Sequence, residues 1–243
     1  LRPREHMAKK GLQNIVTRDF GANAADLICQ LAASGVIPAL EELVANAHDA
    51  DATRIEITYE EDHRRLTIQD NGTGMDEEGI VLFYRLGDSP KVKNPVTGKG
   101  RRCIGKFGIA TILLKYLAGG YRLETTRRGK KIEVQETFSG SLDSAKKIPY
   151  TVLSARHDVS GTTIVLDPVN FEEGDGRFSL VDLRRRIQWD MPILPDLEIV
   201  INGESVKSKH VESAQEYRHD ETKDQMGQVS IELYVTKRPT KDA

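Results

Sequence analysis

Between Tyr121 and Asp167 the chain runs through four alternating stretches in succession, YRLETT, KIEVQETF, PYTVLSA and GTTIVLD. No helix-period pattern interrupts them. Consecutive strands joined this way lie antiparallel, and a period of two gives each strand one apolar side that something else must cover. The cover is written upstream. Helical periodicity runs over Ala24–Ala33 and Val36–Ala50, then over MDEEGIVLFYRLG, with Asp76 as its cap and Glu77 and Glu78 in the first turn. KFGIATILLKYLAGG is a further helix, stopped at Gly119–Gly120. RIEITYE and RLTIQDN form a hairpin between these helices. The predicted fold is α+β: a two-layer α/β sandwich with helices on one face of a mixed, mostly antiparallel sheet. The predicted main domain covers 8–175. A second α/β domain is expected to begin within 176–243, with a helix in SLVDLRRRIQW and strands in LEIVING and QVSIELYVTK. LRPREHM, residues 1–7, has no apolar core of a signal peptide and is set aside as a tag remnant.

Composition narrows the function. With 35 basic against 37 acidic residues, the chain has no global charge that would hold nucleic acid or an anionic membrane. No apolar run is long enough to span a bilayer. Cys29 and Cys103 form no metal or redox spacing and suggest a reducing, cytoplasmic setting.

GRRCIGKF (100–107) sits one residue from a phosphate-binding P-loop. Gly100, Gly105 and Lys106 are in register, but Phe107 stands where Mg²⁺ needs a hydroxyl. A P-loop also leaves a buried strand, and KVKNPVTGK is not one. What survives is Gly105 and Gly108 at a helix start, where backbone amides can meet phosphate without a Walker lysine.

Three further stretches carry chemistry. On the helix VIPALEELVANAHDAD, the residues Val36, Leu40, Leu43, Val44 and Ala47 make a core face, and Glu42, Asn46 and Asp49 form a polar stripe beside it. Asparagine is poor in mid-helix. A neutral amide oxygen suits octahedral Mg²⁺, and a carboxylate one turn away can deprotonate a water. In IQDNGTGMD, Asp70 ends a strand and can accept from an exocyclic amine, while Gly72 and Gly74 permit close backbone approach to a flat ligand. In SGTTIVLD, Gly161-Thr162 places a hydroxyl at a strand's mouth. Each stretch alone also reads as plain structure: a solvated stripe, a turn, a strand.

Together and in this order they resemble the GHKL ATPases: gyrase, the ninety-kilodalton heat-shock chaperones, histidine kinases and MutL-type proteins. Glu42, Asn46 and Asp49 match the family's E-x-x-x-N-x-x-D. Asp70, Gly72 and Gly74 match its D-x-G-x-G, IGKFGIA its G-x-x-G, and Gly161-Thr162 its closing Gly-Thr. The resemblance covers about residues 24–168 and implies the Bergerat ATP-binding fold with ATP and Mg²⁺ as cofactors. It implies Glu42 as general base and Asn46 as the Mg²⁺ ligand. Asp70 would take the adenine amine, helped by Gly74 and Thr162, with Gly72 and Met75 in the same binding segment. The amides of Gly105, Lys106, Phe107, Gly108 and Ile109 would hold the phosphates. Asp49 either supports the adenine pocket or is a structural pairing residue. His48 and His63 read as surface residues.

The first half is most similar to MutL, whereas IGKFGIATI is closer to heat-shock chaperones and MORC ATPases. The implied activity is slow, Mg²⁺-dependent ATP hydrolysis that closes a lid and switches a larger protein between conformations, with an ATP-favoured homodimer. A client protein or DNA is open, and no membrane is implied. The alternative is a nucleotide-binding regulatory module or a protein kinase of the histidine-kinase or anti-sigma type, against which Glu42 speaks. Lys237 is where a γ-phosphate-touching residue of the next domain could lie, and equally a surface lysine. Lys91, Lys93, Lys99, Arg101 and Arg102 read as charges that hold triphosphate, or else nucleic acid. Arg184, Arg185 and Arg186 read as a solvated face. Residues 86–104 bury little and are expected to order only on nucleotide.

Overall fold

The computed structural model describes residues 12–20, 35–86, 95–105, 110–138, 146–191, 194, 196–207, 213–223 and 227–236. The chain divides into two compact units, 1–207 and 208–243.

The first unit begins with strands β1 (Leu12–Thr17) and β2 (Asp19–Phe20), then helix α1 (Val36–Asp49) and the hairpin β3 (Arg54–Glu60) and β4 (Arg65–Asp70). Helix α2 (Glu77–Tyr84), β5 (Arg85–Leu86) and helix α3 (Ala110–Leu117) follow. Strands β6 (Gly120–Arg127), β7 (Lys130–Thr137), β8 (Lys147–Ser154) and β9 (Gly161–Leu166) come next. Helix α4 (Leu180–Asp190), β10 (Glu198–Ile201) and β11 (Glu204–Ser205) complete it.

Nine strands form one sheet in the order β1-β8-β7-β6-β9-β4-β3-β10-β11. All neighbours are antiparallel except β3 and β10, which are parallel. The period-two pattern is obeyed strand by strand: Ile55, Ile57 and Tyr59 are buried, while Arg54, Glu56, Thr58 and Glu60 are not. Leu66, Ile68, Leu123, Ile132, Val134, Ile164 and Leu166 continue the same buried face. The helices cover it in a chain of contacts α4–α1–α3–α2. Leu40, Leu43 and Val44 of α1 are at most 3% exposed, each contributing about 1.5–3 kcal/mol by leaving water. The sheet, the single helical layer and the mixed pairing are those predicted.

Asp76 caps α2 as expected, its Oδ1 accepting from Gly79 N–H at 3.0 Å. Three features differ from the sequence reading. Leu12–Thr17 is a strand, paired with β8 at the sheet's edge, although only Val16 of its described side chains is buried. The expected domain boundary at 176 falls inside the first unit, because Phe178, Leu183, Ile187, Ile199 and Ile201 join the common core. Two arginines of α4 are cross-links: Arg186 Nε meets Glu41 Oε2 of α1 at 3.0 Å, and Arg184 donates to Ile201 O at 3.2 Å, while Arg185 is exposed as expected. The expected helix over Ala24–Ala33 lies outside the described residues.

The second unit contains an antiparallel pair, β12 (Ser213–Lys223) and β13 (Gly227–Thr236), with Tyr217 opposite Leu233 and His219 opposite Ile231. QVSIELYVTK is thus strand, as its alternation predicts; Lys237 lies outside the described residues.

Candidate functional site

Helix α1 and the ends of β4, β6 and β9 converge on one cavity of about 380 Å³. Asn46 and Asp49 line it from α1, and Asp70 and Thr162 line it from paired strand ends. Gly74 and Met75 add the connection after β4, while Leu43, Ile68, Leu82, Phe83 and Ile164 supply apolar walls. A cavity with apolar walls and a few convergent polar groups is suited to a flat, partly polar ligand.

Asp70 carries the strongest electrostatic signature. Burial pushes its carboxyl up from 3.8 to about 6, against the opposing effect of backbone N–H groups from Gly72 and Thr162. Gly72 N–H donates to its Oδ1 at 2.8 Å. Around it runs a hydroxyl relay that the sequence reading missed. Thr125 Oγ1 lies 3.1 Å from Thr162 Oγ1, accepts from Met75 N–H at 2.8 Å and is 3.3 Å from Gly161 O. The signal was there: in YRLETT the alternation sets Thr125 on the buried side, and it is 1% exposed. Arg127, at the end of the same strand, also lines the cavity and faces Asp76 Oδ2 at 3.6 Å.

The glycines also meet a demand that the sequence reading did not include. A Cβ on Gly72 would fall 2.6 Å from Ala50 O, and one on Gly74 would fall 2.1 Å from Thr126 O. Gly74 also has φ 62°, a left-handed conformation that disfavours other residues. Both glycines let the turn press against protein backbone, against α1's end and against β6. This close packing aims Asp70 and Met75 into the cavity.

Asp49 is neither a bare adenine contact nor a simple ion-pair residue. Its carboxylate accepts from Ile104 N–H and Gly105 N–H, both at 2.9 Å, and from His48 Nδ1 at 3.0 Å. Its side chain is 1% exposed, and His48, expected at the surface, is buried with it; His63 is exposed as expected. Gly105's amide, assigned to phosphate by resemblance, is therefore taken up by Asp49. Lys106, Phe107, Gly108 and Ile109 lie outside the described residues, as do Lys91 and Lys93. Of the remaining basic cluster, Lys99 Nζ donates to Asp51 O at 3.0 Å. Arg101 donates to Ala52 O at 2.7 Å and to Asp196 Oδ2 at 2.5 Å, and Arg102 is exposed. Residues 97–105 are thus tied to α1's end by contacts that the sequence reading did not include. The neutralising partners are backbone carbonyls and carboxylates 45 or more positions away in the chain.

Glu42 lies one turn before Asn46 on α1 and is half-buried, but it does not line the cavity. Among the described residues no three His, Cys, Asp or Glu side chains group as metal ligands. Asn46 lines the cavity, and an amide oxygen is one of the donor types that Mg²⁺ takes alongside phosphate oxygens and water. Among the described residues no helix is long and apolar enough to cross a membrane.

The chain is similar to several known proteins. Residues 34–156 match the profile of the family described as histidine kinase-, DNA gyrase B- and HSP90-like ATPase. A Herpetosiphon aurantiacus protein named as a candidate type II restriction enzyme, HgiDII, is 29% identical over 69% of this chain and 28% of its own length. The mismatch-repair protein MutL of Shewanella sp. strain MR-4 is 31% identical over 57% of this chain and 21% of its own. The chaperone HtpG of Citrobacter koseri is 26% identical over 57% and 25% respectively. The chain thus spans about a quarter of the length of these relatives. The ATPase region of Saccharomyces cerevisiae topoisomerase II superposes with a TM-score of 0.52 at 19% identity, over 70% of this chain and 48% of that one. Matched over half its length by one profile, the chain belongs to the histidine kinase-, DNA gyrase B- and HSP90-like ATPases, the GHKL superfamily.

Proposed function

We propose that the cavity between α1 and the ends of β4 and β9 binds ATP with Mg²⁺, and that the chain hydrolyses it slowly to drive a conformational change in a larger protein. The observation that carries the reading is Asp70. It is a desolvated carboxylate at a strand end, flanked by the Thr162–Thr125 hydroxyls and apolar walls. Such a group lacks water to accept from and gains most from a ligand amine. Asp70 takes the exocyclic amine of adenine, with Thr162 and Met75 bordering the base. Asn46 supplies an oxygen to Mg²⁺, which when bound offsets phosphate charge. Glu42 holds and deprotonates the attacking water. The base need not touch the cavity's apolar part, since the water attacks at the far phosphate. Lid closure, ATP-favoured dimerisation and a cytoplasmic location complete the proposal. The names of the relatives point it towards a DNA or protein client.

Calorimetric titration of the chain with ATP and Mg²⁺, set beside phosphate release, tests this reading. Binding should be retained in Glu42→Ala and hydrolysis lost at least ~10²-fold, the usual contribution of a general base. No binding at millimolar ATP refutes the proposal.

A further inference from the structure

Asp51 stands just past α1, outside every position the ATPase motif uses. Its φ is 61°, a left-handed conformation for a residue with a side chain, and it is only 8% exposed. It also places a carboxylate at a helix C-terminus, where the backbone carbonyls already carry negative charge. Aspartate tolerates the left-handed backbone better than most residues, but the helix end disfavours its charge, so the contacts it makes have to account for it. Its Oδ1 accepts from Thr97 Oγ1 at 2.5 Å, its Oδ2 from Lys99 N–H at 3.0 Å, and its main-chain O from Lys99 Nζ at 3.0 Å. The turn it grips is itself closed: Thr97 N–H donates to Arg101 O at 2.8 Å, and Cys103 N–H to Pro95 O at 2.7 Å. Immediately after the turn, Ile104 and Gly105 dock on Asp49.

We propose that Asp51 is a positioning residue for the triphosphate end of the site. Together with Thr97 it registers the turn Pro95–Cys103, and with it Ile104 and Gly105, against the helix bearing Glu42 and Asn46. The inference rests on the ATP-binding reading and adds a residue to it. Its action falls on one end of the ligand, because its carboxylate bonds to Thr97 and Lys99, whereas Asp70 accepts from Gly72 and Thr162 pairs with Thr125.

Asp51→Gly is the informative variant, because glycine adopts φ 61° freely and removes only the carboxylate. Thr97→Val removes the same contact from the other side, and Thr97→Ser keeps it. Each is compared in the full chain for binding of ATP and of adenosine, which lacks phosphate. ATP affinity should fall about tenfold in Asp51→Gly and Thr97→Val, the size of one charge-assisted hydrogen bond. Adenosine affinity should stay within about twofold, and Thr97→Ser should bind ATP as the unaltered chain does. Because Thr97 Oγ1 also accepts from Arg101 N–H at 3.1 Å, the double variant should lose less than the sum of the two single losses. Unchanged ATP affinity in both variants, or equal loss of ATP and adenosine, overturns the proposal. An unaltered chain that binds neither ligand refutes the ATP-binding reading beneath it, a different outcome.

Discussion

Asp70→Asn separates what the carboxylate costs the fold from what it does for the ligand. In the folded chain the Asp70 carboxyl titrates near 6, raised from 3.8 by burial. Between those two pH values the folded state holds a proton that the unfolded state has released. The slope of unfolding free energy with pH is therefore negative there. The neutral acid's contribution is fully present below pH 3.8 and is lost as pH rises through about 6. The gap corresponds to about 3 kcal/mol of destabilisation at pH 7.5, an upper figure because the residue is not fully enclosed. Asparagine has nearly the same shape, still accepts from Gly72 N–H and never ionises. Urea unfolding of both chains at pH 4 and pH 7.5 should show similar stabilities at the acid end, and the variant ahead by up to about 3 kcal/mol at the neutral end. The same variant should bind ATP more weakly, since an amide offers the amine a poorer acceptor. A stability difference that does not change between pH 4 and pH 7.5 would refute the desolvation argument whatever happens to nucleotide binding.

Three other outcomes follow from the same geometry. ATP affinity of the unaltered chain should weaken as pH falls through about 6, approaching about tenfold per pH unit below it, and the Asp70→Asn chain should lose that dependence in calorimetry. Gly74→Ala, which combines a left-handed φ with a Cβ 2.1 Å from Thr126 O, should cost more than about 3 kcal/mol in denaturant unfolding. Thr125→Val leaves Met75 N–H without its acceptor and should cost about 1–3 kcal/mol, with Thr125→Ser restoring most of it.

What could be read from the sequence was local. The Asp76 cap, the hairpin of β3 and β4 and the face of α1 all follow from a capping residue or from periods of two and 3.6. What escaped was each contact between distant segments. Asp49 passes for part of a solvated stripe until Ile104 and Gly105 are laid against it, and Arg101 looks like a ligand for phosphate until Asp196 appears beside it. His48 reads as a surface residue by its type, yet it is buried beside Asp49. Edge strand β1 carries no regular face, so its alternation is faint. The backbone packing of Gly72 and Gly74 stays hidden because a flat ligand and a neighbouring backbone make the same demand on a residue.

The parallel pairing of β10 with β3 separates the family's limits from the limits of the folding unit. Profile matching stops at 156, and the motifs end by 168, yet Tyr59 on β3 stacks with Phe171 and meets Phe178 edge-on at 5.0 Å. A fragment trimmed to the matched region would strip β3 of a hydrogen-bonded neighbour and uncover these rings. It would present a bare, apolar strand margin that invites association with other chains. Helix α1 would suffer too, since Arg186 of α4 grips Glu41, the residue beside Glu42. Recombinant dissection of this chain is therefore best cut after Lys207, the end of the first compact unit, and a shorter piece would report on aggregation in place of nucleotide chemistry.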